Sequence, residues 1–438
     1  MQVAPSTDSQ RTMVVADSSS LPYGARMGSD AQLMRTQRVL KSWFPQSGGT
    51  YGPALTKIIR FDVASTDFLD LSEARFQCDF TATHNGQDVT QTLDGGLGGC
   101  ISRLTITSNI SGLLLERIDD YALVQTLLNQ CSDRARLDPS ALLEQEMFIT
   151  DPANIDAANY MMTANTVRQL SHKLHGAWFQ TSHKKLLPPG VSFKVEIELV
   201  GSANECCKLT GAAADQTGFT LSNCSLVIPT VTIESRSFEE RTMQLLQTGW
   251  TWTGATYTTN KYSSNAAGAR NLTVPGQALA LTGLIAVIRL NNSLSATNAF
   301  QNYFREGGGF QSDYNVTIGS DQYPPLKIQY SGGTLTDQNV IGNGTNYKFA
   351  EATQQIAAVL GYASFVSTAA HKGQGFIAVQ TGYGQGQGVD TQSAALNISF
   401  NLNPALNTDA EICVITQSTS SFRLESRGGA IEVTNLSG

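Results

Sequence analysis

The chain writes the same order of elements twice, and this constrains its fold more than any single motif does. A strand-like run at residues 58–65 is followed by "FLDLSEARFQCDFTAT" at 68–83 and a Gly-rich turn at 95–99. An alternating strand at 101–107 and a helical stretch at 118–131 complete the first copy. The second copy starts with "LALTGLIAVIRL" at 279–290 and passes a Gly-rich turn at 307–309. It continues through an alternating strand at 314–320 to a helical stretch at 349–361. Alternation at period two places apolar side chains on one face of a half-buried strand, whereas spacing at three and four marks a helix. Repeated in this way, the pattern predicts two all-β sandwiches in tandem, each with a helical insertion in the same place. That is the layout of a building block before it is that of a catalyst.

The rest of the chain fits this division. Residues 1–50 read as an N-terminal arm, polar at first, with a short amphipathic helix at 31–44 ("AQLMRTQRVLKSWF"). Leu33, Met34, Leu40 and Phe44 share one side of that helix, while Arg35, Arg38 and Lys41 project elsewhere and Trp43 sits near its end. Such a helix suits docking on its own chain or a neighbour, and less well an anionic membrane. Residues 51–236 form the first sandwich, with strands at 57–63, 74–81, 101–107 and 191–200. Between them lie helices at 118–131 and 140–147 and a surface excursion at 151–170. Residues 219–234 hold two strands, or one interrupted by Pro229. The charged stretch at 235–244 suits a short helix bridging the halves. Residues 237–438 form the second sandwich, with strands at 278–290, 314–319, 326–330, 375–381, 394–401, 410–418 and 430–433. Seven or eight strands per half, with helices tucked into a connection, fit an elaborated jelly roll.

Composition narrows the function. With 438 residues each half is large enough to bury its own core. Charged residues are only 15 % and the net charge is −7, so the bulk surface is not built to grip phosphate backbones. No sequence-specific nucleic-acid binding is expected. The seven cysteines are odd in number and contain no CxxC, which argues for buried free thiols rather than a disulfide framework or a zinc ribbon. The polar N-terminus lacks the apolar core of a secretory signal, and no run is long enough to span a bilayer as a helix. Synthesis in a cytoplasm is the corresponding expectation.

Each chemical motif has a plainer explanation. His172, His175 and His183 are loosely spaced, with basic flanks and no cysteine partner, so no metal is expected. The glycines at 95–99 and 382–388 lead into strands or polar sequence, not into a helix N-terminus, and read as turns. Asp119–Asp120 and Glu239–Glu240 are neighbours in sequence and do not face one another on a helix. No GxSxG nucleophile occurs. No catalytic residue, cofactor or enzyme activity is predicted. Trp250, Trp252 and Tyr257 suit a core or an interface better than a sugar-stacking platform.

Three windows carry a resemblance. "FLDLSEARFQCDF" at 68–80 resembles an early strand, and "CISRLTITSNISGLLLERIDDYALVQTLLNQ" at 100–130 the next strand and its helix. "YNVTIGSDQYPPLKI" at 314–328 is similar to the equivalent strand of the second half, ending in a Pro-bearing turn. In these windows, and in element order over residues 51–438, the chain resembles the double jelly-roll major capsid proteins of icosahedral DNA viruses. That lineage includes adenoviruses, tailless membrane-containing phages, virophages, polinton-like viruses and large eukaryotic DNA viruses. The resemblance implies two tandem jelly rolls with short helical insertions. It further implies a homotrimer of pseudo-hexagonal outline that tiles a virion shell around a DNA genome. Implied partners are further trimers, minor capsid or penton proteins and an internal membrane. The arm, through Arg35, Arg38, Lys41 and Trp43, would make the inner-face contacts. The alternative is a β-sandwich surface module that binds a receptor or glycan.

Overall fold

The computed structural model describes residues 35–84, 90–93, 95–131, 147, 162–179, 186–210, 217–234, 236–263, 268–275, 278–290, 310–329, 377–382, 388–402, 410–427 and 430–436. The first half contains β1 (Arg35–Trp43), β2 (Ile58–Ala64), β3 (Phe68–Leu69), β4 (Arg75–Ala82), β5 (Thr90–Leu93), β6 (Ile101–Ser108) and β7 (Leu114–Asp119). Helix α1 (Tyr121–Cys131) follows, then β8 (Val167–Lys173), β9 (Ser192–Leu199), β10 (Cys207–Thr210) and β11 (Phe219–Glu234). Helix α2 (Arg236–Thr248) leads into the second half. There lie β12 (Trp250–Ser263), β13 (Gly268–Val274), β14 (Leu281–Leu290), β15 (Phe310–Ile318) and β16 (Asp321–Gln329). The last four are β17 (Ile377–Gln380), β18 (Leu396–Leu402), β19 (Ala410–Arg427) and β20 (Ala430–Asn435).

Sheet order identifies the architecture. In the first half one sheet runs β1-β11-β4-β8 and the facing one β2-β9-β6-β7. In the second half the orders are β12-β19-β14-β17 and β13-β18-β15-β16. With the short β3, the β5–β10 pair and β20 set aside, the described residues of each half form eight strands in the orders 1-8-3-6 and 2-7-4-5. This is a long hairpin wrapped into two sheets, the jelly roll, and the chain contains it twice.

Period-two patterning drives the packing. β4 and β9 bury every second residue, placing Phe76, Cys78, Phe80 and Ala82 opposite Phe193, Val195, Ile197 and Leu199 in the first core. Phe61 meets Phe76 edge-on at 6.2 Å. Each such aromatic ring contributes about 1.5–3 kcal/mol by its burial. Val316, Ile318, Ile398 and Val414 do the same in the second sandwich.

The repeat is real, but its register differs from the sequence reading. β6 and β15 are both fourth strands, as expected, whereas β2 is a second strand and β14 a third, so the counterpart of β14 is β4. Helix α1 follows the fifth strand. The stretch at 349–361 falls in the corresponding connection of the second half and lies outside the described residues, as does 140–147 apart from Met147.

Other expectations are corrected. Residues 35–43 are not helical: they form β1, paired antiparallel with β11 from Arg35↔Glu234 to Trp43↔Leu226. The surface excursion ends early, because β8 begins at Val167. The helical pattern at 118–131 is split: Ile118 and Asp119 end β7, the backbone turns at Asp120 (φ 53°), and α1 starts at Tyr121. Residues 219–234 are one strand, with its irregularity at Ser222–Ser225 rather than at Pro229. Pro324 and Pro325 lie within β16, an edge strand, where the pairing with β15 skips from Ile328 to Tyr323. The bridging helix is present as α2. It ends at Gly249 (φ 99°), whose N–H donates to the Leu245 carbonyl at 2.9 Å, a left-handed helix stop. Cys78, Cys100, Cys206, Cys207, Cys224 and Cys413 are free and buried.

Candidate functional site: the seam and the first strand

Two features give the molecule surfaces to work with: the seam that joins the sandwiches and the strand that opens the first. At the seam, α1 turns Val124, Leu127 and Leu128 toward Tyr257, Ile285, Ile415 and Gln417 of the second sandwich, lining a small apolar gap. Beside it Trp178, fully buried, stands against Trp252 at 6.1 Å, Phe422 at 5.2 Å and Phe193 at 5.5 Å. Residues of both halves therefore belong to one continuous core.

Glu116 of β7 holds this arrangement from below. Its carboxylate, 4 % exposed, accepts the backbone N–H of Ala177 at 2.7 Å and of Trp178 at 2.9 Å, and a hydrogen bond from the Thr256 side chain of β12. Burial pushes its pKa up to about 7, opposed by those same hydrogen bonds. The turn is shaped to fit: Gly176 sits at φ 142°, and a Cβ there would lie 2.8 Å from the Glu116 carboxylate. A Cβ at Gly254 of β12 would collide with the Ala177 backbone. Further links cross the seam where Lys261 pairs with Asp120 and where Asn435 Nδ2 donates to the Leu115 carbonyl at 2.8 Å.

β1 is the edge of its sheet. The structure buries Trp43 in the core at 9 % exposure, with the Lys41 ammonium 5.3 Å from its ring. Trp43 thus anchors the strand instead of projecting from it. Arg38 is exposed and reaches Asp70 at 3.6 Å. Leu40 (70 %) on β1 and Phe44 (72 %) directly after it are the most exposed apolar side chains nearby, and among the described residues no strand pairs with the outer edge of β1. The four residues named for the arm are thereby brought onto one strand, not one helix face.

The remaining motifs are structural. His172 is buried, with Nε2 2.9 Å from the Tyr121 hydroxyl, which also accepts the His175 backbone N–H at 2.9 Å. His183 lies outside the described residues. Among the described residues no group of three or more His, Cys, Asp or Glu is placed to hold a metal. Asp119 binds Arg103 and Arg117, while Asp120 turns to Lys261. Gly98 makes room for Gln125 and His172 rather than for a phosphate. Trp250 and Trp252 are buried, so neither presents a face to a sugar.

Glu116 and Trp178 were not singled out from the sequence. The available signal was an acid directly after three leucines, the first charge in an uncharged run from Leu104.

Together the two sheets of each half and their seam define a double jelly roll. No family model matches the sequence, and no curated protein matches it. Solved structures do share the fold. A PBCV-1 virus capsid structure aligns over 91 % of this chain and 97 % of its own, with a TM-score of 0.58 at 8 % identity. The Sputnik virophage structure aligns over 91 % and 88 %, with a TM-score of 0.53 at 11 % identity. The Faustovirus major capsid protein aligns over 89 % and 91 %, with a TM-score of 0.53 at 9 % identity. Among the described residues no helix is long and apolar enough to cross a membrane.

Proposed function

We propose that the protein is a non-enzymatic major capsid subunit that trimerises into a pseudo-hexagonal block and tiles an icosahedral shell around a DNA genome. The observation that carries this reading is the eight-strand jelly roll present twice in tandem, in an alignment with capsid structures that spans nine-tenths of the chain. The seam supports it, because a continuous core lets two rolls act as one rigid unit. A ring of three chains needs heterologous contacts between neighbours, and modest contacts suffice when many repeat across a shell.

The division between the rolls falls at α2, and the first roll takes β1 as its opening strand. Arg38 and Lys41, with Arg35 at the start of the strand, offer cations for the inner-face contact, and Trp43 fixes the strand beneath them. The partners of that face are a neighbouring trimer, a minor capsid or penton protein, or an internal membrane. The place of action is the virion.

The test is the mass of the purified protein by light scattering, with negative-stain images of the same fraction. A species of three times 47.0 kDa with a pseudo-hexagonal outline is expected. A monomer or dimer at every salt concentration tried would overturn the reading.

A further inference from the structure

The hairpin between β6 and β7 ends in an apolar tip. The chain carries no charge from residue 104 to 115, and Glu116, which follows, is turned inward to Ala177 and Trp178. Thr107 pairs with Leu114, and residues 108–113 make the turn between them. Ile110, Leu113 and Leu114 are 43 %, 50 % and 51 % exposed, three aliphatic side chains within five positions. The repeat supplies a comparison. The corresponding hairpin of the second roll, β15–β16, turns through Gly319 and Ser320 straight into Asp321, all three exposed and none aliphatic. A jelly roll can therefore close this hairpin without exposed aliphatic residues, and those of the first roll are not a demand of the fold.

Hydrogen bonding at the tip indicates what covers it. The Ser108 N–H donates to the Leu113 carbonyl and the Gly112 N–H to the Ser108 carbonyl, both at 2.9 Å. The Ser111 N–H reaches Ser108 Oγ and the Leu113 N–H reaches Ser111 Oγ, both at 3.4 Å. The Asn109 N–H donates to the Ser192 carbonyl at 3.2 Å. Five backbone donors of the turn are thus satisfied within the chain. A partner that adds a strand needs such groups free, whereas hydrocarbon demands that they be paired. The tip is also convex: a Cβ on Gly112 would meet nothing within 4 Å, so no groove seats a partner's side chain there. Charge does not recruit a partner either. Arg103 and Arg117, farther back on the hairpin, are both paired with Asp119, and the whole chain carries −7.

We propose that this tip is a lipid-contacting surface, which inserts Ile110, Leu113 and Leu114 into the apolar layer of a bilayer while Ser108, Asn109 and Ser111 stay at the level of the headgroups. Insertion is driven by apolar burial and needs no anionic lipid. The inference deepens the capsid reading by choosing lipid as a partner of the inner face, and it rests on that reading for where the bilayer lies. Contacts place the tip at the same end of the roll as Arg38. Asn109 hangs on Ser192 at the start of β9, the Gly190 N–H just before it donates to the Ser65 carbonyl at 3.0 Å, and Asp70 beyond Ser65 pairs with Arg38. One tip binds weakly, and repetition across a trimer and a shell multiplies the effect.

The experiment is flotation of the full-length protein with phosphatidylcholine vesicles at low and high salt, with light scattering of the same preparation. Co-flotation that high salt does not weaken is expected. Ile110→Ser combined with Leu113→Ser and Leu114→Ser should reduce the bound protein at least about tenfold. An Ile110→Trp variant reads insertion directly: its emission should shift to the blue on vesicles and be quenched by brominated lipid. This second variant decides the matter if the triple variant does not fold. The proposal fails if no protein floats, if the triple variant floats as well as the wild type, or if high salt releases the protein. It also fails if the triple substitution breaks up the trimer, which would make the tip a contact between copies. A trimer that does not float sinks this inference alone, whereas a monomer that floats through the tip sinks the capsid reading and leaves the lipid contact standing.

Discussion

The carboxylate of Glu116 accepts the backbone N–H of Trp178 at 2.9 Å, so a buried acid on one strand fixes the ring on which the two sandwiches meet. Removing either member should be felt at the seam before it is felt in either sheet.

The acid makes the seam sensitive to pH. Its folded pKa, about 7, lies above the ordinary 4.5, so the folded state holds the proton more tightly than the unfolded chain. This contribution is fully present below pH 4.5 and is lost as pH rises through 7, at a cost of about 3 kcal/mol. Glu116→Gln imitates the protonated acid. Denaturant titrations from pH 4 to pH 9 should therefore show the wild type losing stability relative to the variant across that window. Parallel curves would remove the acid from the account.

Trp178→Ala deletes the contacts with Trp252, Phe422 and Phe193. The expected cost is about 3–5 kcal/mol, the range for emptying a buried aromatic site. Calorimetry should show the single transition broadening or splitting as the two rolls lose their common core.

Gly176→Ala puts a methyl group against the Glu116 carboxylate at a backbone angle that disfavours side chains. A loss of about 2–3 kcal/mol is expected from crowding and strain. Gly112, at φ 67° with open space around it, is the control. Gly112→Ala should cost only the backbone term, about 1 kcal/mol. Equal losses at the two positions would mean that the carboxylate does not define the turn.

Charge reversal on β1 separates folding from assembly. Arg38 makes only a surface ion pair with Asp70, a contact worth about 0–1 kcal/mol. Arg38→Glu with Lys41→Glu, the latter also removing the contact with the Trp43 ring, should cost no more than about 2 kcal/mol of stability yet lower the yield of assembled shells in a reconstitution assay. Normal assembly would exclude these cations from the inner-face contact.

Much of this was legible in the sequence, for identifiable reasons. β4 and β9 were readable because each has one wet and one dry face, which enforces alternation. The bridging helix and the burial of Trp250 and Trp252 were readable too. β1 was not, because "RTQRVLKSW" has apolar residues that fit a helical side as well as a strand, and pairing with β11, about 190 residues later, decides it. β12 was overlooked although "WTWTGATYTTNKYS" is rich in β-branched and aromatic residues. The charged stretch before it drew the boundary instead. The seam was invisible for a different reason: Glu116 and Trp178 meet 62 positions apart, and one sequence contains no sign of such a contact.

The pairing of β1 with β11 also sets a timetable. Thr230 Oγ1 donates to the Val39 carbonyl across 191 positions, so β1, once synthesised, waits for its partner β11 until nearly the whole first roll has followed it. Contacts of such long range are slow to close. The nascent chain therefore carries an unpaired strand, with Val39, Leu40 and Trp43 uncovered, for most of the synthesis of that roll, the interval in which chaperones are most needed. Because β11 ends at Glu234 and α2 separates it from β12, the first roll can close before the second starts to emerge.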